Sequence, residues 1–255
     1  MDKLVFTALN SLRAQRFERQ ALTNELANLS TTGFKKSYET ALETIKVGGS
    51  GFDSRFFSRI VEADVIDLSP GAPMATGRSM DIMVNGTGVL GVQAQDGSLA
   101  FTRRGDMTTT PEGLVTLGDG SLVLEASGAP LAVPPGSTLS FGPDGAVYAS
   151  DVTQQGQAPV QIGQLFLRDA ANADLVRRVD GLFTPVAGNA TATGDISTSN
   201  AAVSITPGAL EASNASAMEA MVRMIDLSRS FETNIRIMRE TKDLDQQGAS
   251  MMRLA

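Results

Sequence analysis

The chain has 255 residues, 42% hydrophobic, 19% charged and 5% aromatic, which is enough for one large domain or two modest ones with a packed core. It contains no cysteine and no histidine, which excludes disulfide scaffolds, thiolate nucleophiles and cysteine zinc sites and removes the commonest general base and metal ligand. A net charge of −7 argues against a phosphate-tracking surface, because nucleic-acid affinity rests largely on lysine and arginine, so nucleic acid is not expected as a partner.

All of the 25 glycines except Gly248, and all ten prolines, lie between Gly33 and Gly208. Both ends are therefore free of strong helix breakers and are predicted as long helices. In the first, Val5, Ala8, Leu12, Gln15, Arg19, Leu22, Leu26 and Leu29 step by three and four, and six of the eight are apolar. Arg13, Arg16 and Arg19 stand where a cleaved signal peptide would have its apolar centre, and no apolar run reaches the roughly 18 residues of a membrane span. Neither a Sec-type signal nor a span is expected.

Residues 34–77, passing through Gly48, Gly49, Gly51, Pro70, Gly71 and Pro73, predict a connector with short strands around Ile60–Ile66. Residues 78–207 carry the turn dipeptides Asn85-Gly86, Asp96-Gly97, Asp119-Gly120, Asp144-Gly145 and Asp180-Gly181 between short apolar runs such as Val89–Val92, which predicts antiparallel β structure. No fixed-length repeat supports a propeller or solenoid. In the last segment, 208–255, Met218, Met221, Ile225, Ser228, Phe231, Ile235 and Met238 form a second stripe, after Ser216 and Glu219 at capping-box spacing.

Residues 1–33 carry four basic and three acidic side chains and residues 209–255 six and seven, so the net −7 falls on the middle. Near-neutral helices tolerate close neighbours, whereas an acidic middle tends to stay solvated. The stripes leave two outcomes open: each helix packs on its own chain, or both join an intermolecular coiled coil. The expected fold class is α+β, with long, coiled-coil-forming N- and C-terminal helices (1–33 and 208–255) flanking the connector and a β-rich central domain.

Asp96, Asp106, Asp119 and Asp144 are the candidates for an acid/base pair, which glycan cleavage needs about 5–10 Å apart. Most stand beside glycine, where an aspartate serves a turn. Neither Asp119-Gly120 nor Asp180-Gly181 continues into a calcium loop, and Gly86-x-Gly88-x-x-Gly91 lacks the strand–helix setting of a dinucleotide site. Arg103 and Arg104 read as a solvated strand edge or a partner salt bridge, and adjacent strand residues point to opposite faces. No catalytic residue, cofactor or metal is expected.

Thr23-Asn24-Glu25-Leu26-Ala27-Asn28 followed by Ser30-Thr31-Thr32-Gly33-Phe34-Lys35 resembles a signature of the bacterial flagellar rod and hook family, with Glu25 replacing the usual second asparagine. Gly208-Ala209-Leu210-Glu211-x-Ser213-Asn214, Glu219-Ala220-Met221-Val222-x-Met224-Ile225 and Arg229-x-Phe231-Glu232 resemble its C-terminal helix, although Ala215 and Ala217 depart from its common valine and proline. Met80-Asp81-Ile82-x-Val84 and Phe101-Thr102-Arg103-x-Gly105 resemble its central motif.

The resemblance implies a non-enzymatic structural subunit whose terminal helices pack with those of neighbours around a channel. The implied assembly surface comprises Val5, Leu12, Leu22, Leu26, Leu29, Met218, Met221, Ile225, Phe231, Ile235 and Met238. The family-motif positions are Asn24, Leu26, Ala27, Asn28, Gly33, Phe34, Asn214 and Glu219. It implies homo- and hetero-oligomeric assembly with proximal and distal rod subunits, export by the flagellar type III apparatus without a cleaved signal, and a place in the periplasmic part of the basal body. The opening Met1-Asp2, the length and the motif spacing favour a torque-transmitting proximal-rod member; Gln154-Gln155-Gly156-Gln157 and Gln161–Leu165 keep a distal-rod member as the alternative. A secreted carboxylate-dependent wall hydrolase is the alternative from another class.

Overall fold

The computed structural model describes residues 2–37, 42–46, 56–60, 65–151, 158–186, 188–196 and 202–253. Gly48, Gly49, Gly51 and the Gln154–Gln157 run lie outside the described residues, as do the side chains of Val5 and Ala8. Helix α1 spans Asp2–Ala27 and helix α2 spans Ala217–Arg253, with short antiparallel strands between them. The described residues form two compact units. One holds α1, α2 and the antiparallel strands Leu42–Lys46 and Phe56–Ile60; the other holds residues 28–37 and those described between 65 and 215.

In the second unit an antiparallel sheet is built around the strand Gly88–Gln93, which pairs with Leu99–Thr102, Leu122–Val123 and Leu167–Asp169. This central strand is buried on both faces. Leu90 and Val92 enter one apolar cluster with Ile82, Met107, Leu131 and Val147, while Val89 enters another with Phe101, Phe166, Leu175 and Phe183. The period-two alternation of a strand divides the run between the clusters, so it reads as continuously apolar. A three-stranded sheet of Ser137–Phe141, Ala146–Asp151 and Val160–Gln164 adds Leu139, Phe141 and Val147 to the first cluster.

The aspartate-glycine turns share one construction. Backbone N–H groups of Ser98, Ser121, Ala146 and Leu182 donate to the carboxylates of Asp96, Asp119, Asp144 and Asp180 two residues earlier. The intervening Gly97, Gly120, Gly145 and Gly181 adopt φ between +82° and +86°. The short carboxylate satisfies a backbone donor locally, and glycine takes the left-handed position without a Cβ clash.

The expectation of long, coiled-coil-forming helices at both ends is corrected. Along the chain the two helices flank a large β-rich region in sequence only, the N-terminal one is the shorter at 26 residues, and they do not meet along the anticipated seam. Their shared core consists of Leu22, Ala220 and Leu227, with Leu26 and Met224 packed against it, whereas Met218, Met221 and Ile225 are exposed. Helical pitch gives the reason. The seven positions from Met218 to Met238 cover 20 residues in six steps, about 3.3 residues each, so every step falls about 27° short of a full turn and the stripe winds through about 160°. A seam requires the apolar positions to stay on one face.

Candidate functional site

Two groups of residues stand out: the surface of the helix pair, and a buried ion cluster where the segments leading out of α1 and into α2 meet. The helices run antiparallel. The Gln15 side-chain amide donates to the Ser230 hydroxyl at 2.6 Å, Asn234 donates to Ser11 at 3.1 Å, and the Arg19 guanidinium lies 5.7 Å from the Phe231 ring centroid. Ser216 caps α2 by accepting from the Glu219 N–H, while Glu219 itself holds Arg223 at 2.9 Å one turn on.

The anticipated assembly residues divide between the inside and outside of this pair. Leu22 is buried, and Leu12, Leu26, Ile235 and Met238 are half-buried. Met218 is 77% exposed, Met221 and Ile225 are more than half exposed, and Phe231 is 40% exposed. Leu29 lies in the β-rich unit and is half-buried. Val222, absent from the anticipated stripe, joins the outer group at 54% exposure. Of the motif residues on the helices, Asn24, Ala27 and Glu219 are exposed.

The remaining motif residues gather in the β-rich unit. Asn28 accepts from Thr31, closing the turn after α1. Gly33 then takes φ +69°, and a Cβ there would lie 2.5 Å from the backbone of Arg103 and Arg104, so both its conformation and its close approach require glycine. Its N–H donates to the Glu211 carbonyl at 2.7 Å. Phe34 is buried beneath the Arg177 guanidinium, 4.4 Å from the ring centroid, and Arg177 also donates to the Lys35 carbonyl. The Asn214 amide donates to the Asp67 and Ser69 carbonyls and its oxygen accepts from the Lys36 N–H.

At the centre of this region lies a triad that sequence reasoning missed. Glu211 accepts from Lys35 Nζ at 2.7 Å, Gly71 N–H at 2.8 Å, Arg103 Nε at 2.8 Å and Arg103 Nη2 at 3.0 Å. Arg103 also donates to the carbonyls of Gly86 and Gly88, and Lys35 to that of Ser69. All three side chains are at most 1% exposed. Burial works to raise the Glu211 carboxyl, but the hydrogen bonds and charges of Arg103 and Lys35 outweigh it and hold Glu211 below the usual carboxylate range. Burial lowers Lys35 below its ordinary value, against the opposing effect of the hydrogen bond it donates to Glu211.

Arg103 is thus no solvated edge. Arg104, just beyond the strand Leu99–Thr102, grips Asp106 instead through two hydrogen bonds at 2.5 and 2.8 Å. The available sequence signal was the presence of Lys35, Arg103 and Glu211 within the quoted motif runs; nothing in their spacing marks them as one cluster.

The carboxylates considered for acid/base chemistry are tied into local structure. Asp119 and Asp144 serve turns, and Asp106 holds Arg104. Asp96 accepts from the Ser98 hydroxyl and N–H and pairs with Arg178, which together lower its pKa to about 2. Such a group is a poor proton carrier near neutrality.

The motif residues, together with a helix near each terminus of the sequence and β strands between them, fit the class of flagellar rod and hook proteins. Family models described as the flagellar hook protein FlgE/F/G D1 domain and the flagellar basal body rod FlgEFG protein C-terminal match residues 83–149 and 206–251. The chain belongs to the flagellar basal-body rod protein family. It is 30% identical over 246 residues to the flagellar basal-body rod protein FlgF of Escherichia coli, covering 95% of each chain. Identity is 32% over 240 residues to FlgF of Salmonella typhimurium, covering 93% of each. The flagellar basal-body rod protein FlgG of Bacillus subtilis is 26% identical over 99% of this chain and all of that protein.

Proposed function

We propose that this protein is a non-enzymatic structural subunit of the flagellar basal-body rod, seated in its proximal part and transmitting torque through contacts made by its terminal helices. The observation that carries the assignment is the near full-length similarity to rod proteins of the FlgF type. The helix pair supports it physically: among the described residues its shared core has three buried side chains, while Met218, Met221, Val222 and Ile225 remain exposed on α2. A continuous apolar surface of this kind gains free energy by burial against another chain.

Placement in the periplasmic part of the basal body, export by the flagellar apparatus without a cleaved signal, and assembly with neighbouring rod subunits follow from the same proposal. Among the described residues no helix is long and apolar enough to cross a membrane. The proposed arrangement makes Leu12, Leu22, Leu26, Ile235 and Met238 the inner support of the helix pair and Met218, Met221, Ile225 and Phe231 the contact residues, with Leu29 in the β-rich unit outside both groups. The test is electron microscopy of basal bodies from a strain lacking this gene. An absent or truncated rod, restored by the unaltered protein, is expected; a complete rod would overturn the proposal.

A further inference from the structure

Two segments of the β-rich unit adjoin the helices in sequence: residues 28–37 follow α1, and residues 208–215 precede α2. The internal hydrogen bonds of the first segment are turn contacts, from the Thr31 N–H to the Asn28 carbonyl and from the Phe34 N–H to the Thr31 carbonyl. Much of its hold on the unit comes from the second segment. The Gly33 N–H donates to the Glu211 carbonyl, Lys35 Nζ to the Glu211 carboxylate and the Lys36 N–H to the Asn214 side-chain oxygen, each at 2.7 Å, and the Asn214 N–H donates back to the Phe34 carbonyl at 3.3 Å.

The second segment is fastened in its turn. Its strand Ala209–Glu211 pairs with Pro73–Ala75, and the Ala212 N–H donates to the Ala72 carbonyl at 2.9 Å. Arg103 grips the Glu211 carboxylate while donating to the carbonyls of Gly86 and Gly88, where the central strand begins. These bonds make the two dockings interdependent. With residues 208–214 released and 28–37 in place, Lys35 and Arg103 would be buried cations without their shared carboxylate, and the N–H groups of Gly33 and Lys36 would lose their acceptors. With residues 28–37 released, Glu211 would keep one of its two counter-charges. Each segment therefore docks better when the other is docked, and linkage makes the effect mutual.

We propose that Lys35, Arg103 and Glu211 form a latch through which residues 28–37 and 208–214 dock on the β-rich unit, and leave it, as one cooperative element. Arg103 is the part that stays with the central strand, and Lys35 and Glu211 are the parts that come and go. The latch opens at a lower free energy than the central sheet unfolds, as a sub-global unit of the fold.

The test is hydrogen exchange resolved by NMR on the full-length protein, in a series of low urea concentrations. Three amides report: Phe34 in the first segment, Ala212 in the second, and Gly91 in the central strand, whose N–H donates to the Phe166 carbonyl. In the unaltered protein Phe34 and Ala212 should share one opening free energy and one urea dependence, both below those of Gly91. Two further chains test reciprocity. Lys35→Met, on the first segment, should speed exchange at Ala212 about tenfold or more, and Asn214→Ala, on the second, should do the same at Phe34, although neither reporting hydrogen bond involves the changed side chain. Separate opening free energies for Phe34 and Ala212, opening of both only together with Gly91, or substitutions that speed exchange on their own segment while leaving the other within about twofold would each overturn the latch. The comparison in the unaltered protein decides the matter even if a substituted chain fails to fold.

Discussion

Replacing Glu211 tests the energetic account of the β-rich unit most directly. Its carboxylate accepts four hydrogen bonds and is the shared counter-charge of Lys35 and Arg103, all with side chains at most 1% exposed. Glu211→Ala leaves two buried cations facing each other and a Gly71 N–H without its acceptor, and breaking a buried pair in this way costs about 3–5 kcal/mol. Against a typical domain stability of about 5–15 kcal/mol that is a large fraction. Glu211→Gln keeps the shape and one acceptor, and Lys35, already lowered by burial, can release its proton, so a smaller loss of about 2–3 kcal/mol is expected.

Urea denaturation followed by circular dichroism, with a typical slope of about 1–3 kcal/mol/M, converts the alanine loss into a midpoint shift of at least about 1 M. The pH dependence adds a second readout. The folded pKa of Glu211 is depressed, so its contribution is fully present above the unfolded value near 4.3 and is lost as pH falls through the folded value. The unaltered protein should lose stability on acidification below about pH 4 by more than Glu211→Gln does. A Glu211→Ala midpoint within about 0.2 M of the unaltered protein, with the same acid profile, would refute the reasoning.

Gly33→Ala should destabilise the β-rich unit by about 2–4 kcal/mol in the same titration, because it combines a left-handed φ with a Cβ 2.5 Å from neighbouring backbone. Leu22→Ala should cost the helix pair about 2–5 kcal/mol, read as lost helical signal, while the β-rich unit keeps its urea midpoint. Ile225→Asp, at an exposed position, should leave helix content unchanged yet abolish swimming in a complementation assay; normal swimming would remove the outer patch from assembly. Asp96→Asn, Asp119→Asn and Asp144→Asn should each support normal rod assembly, checked by the same complementation.

The anticipated turns and the observed ones coincide where the chemistry is local. An aspartate followed by glycine carries its own acceptor and its own left-handed residue, so Asp96-Gly97 or Asp144-Gly145 needs no distant partner to be recognised. The rod and hook motifs were equally visible, and the family models match two of those regions. Lys35, Arg103 and Glu211 were harder to join, since they are 68 and 108 residues apart along the chain and only sheet pairing brings them to one point.

From the residues alone came the two breaker-free ends, the β-rich middle and its turns, because these depend on backbone freedom and on bonds spanning a few positions. Tertiary structure decided which side of α2 is covered and which side chains meet in the ion cluster. A repeat of threes and fours does not say how far it has wound around a helix of 3.6 residues per turn, and a single charged residue does not reveal whether a counter-ion waits for it across the fold.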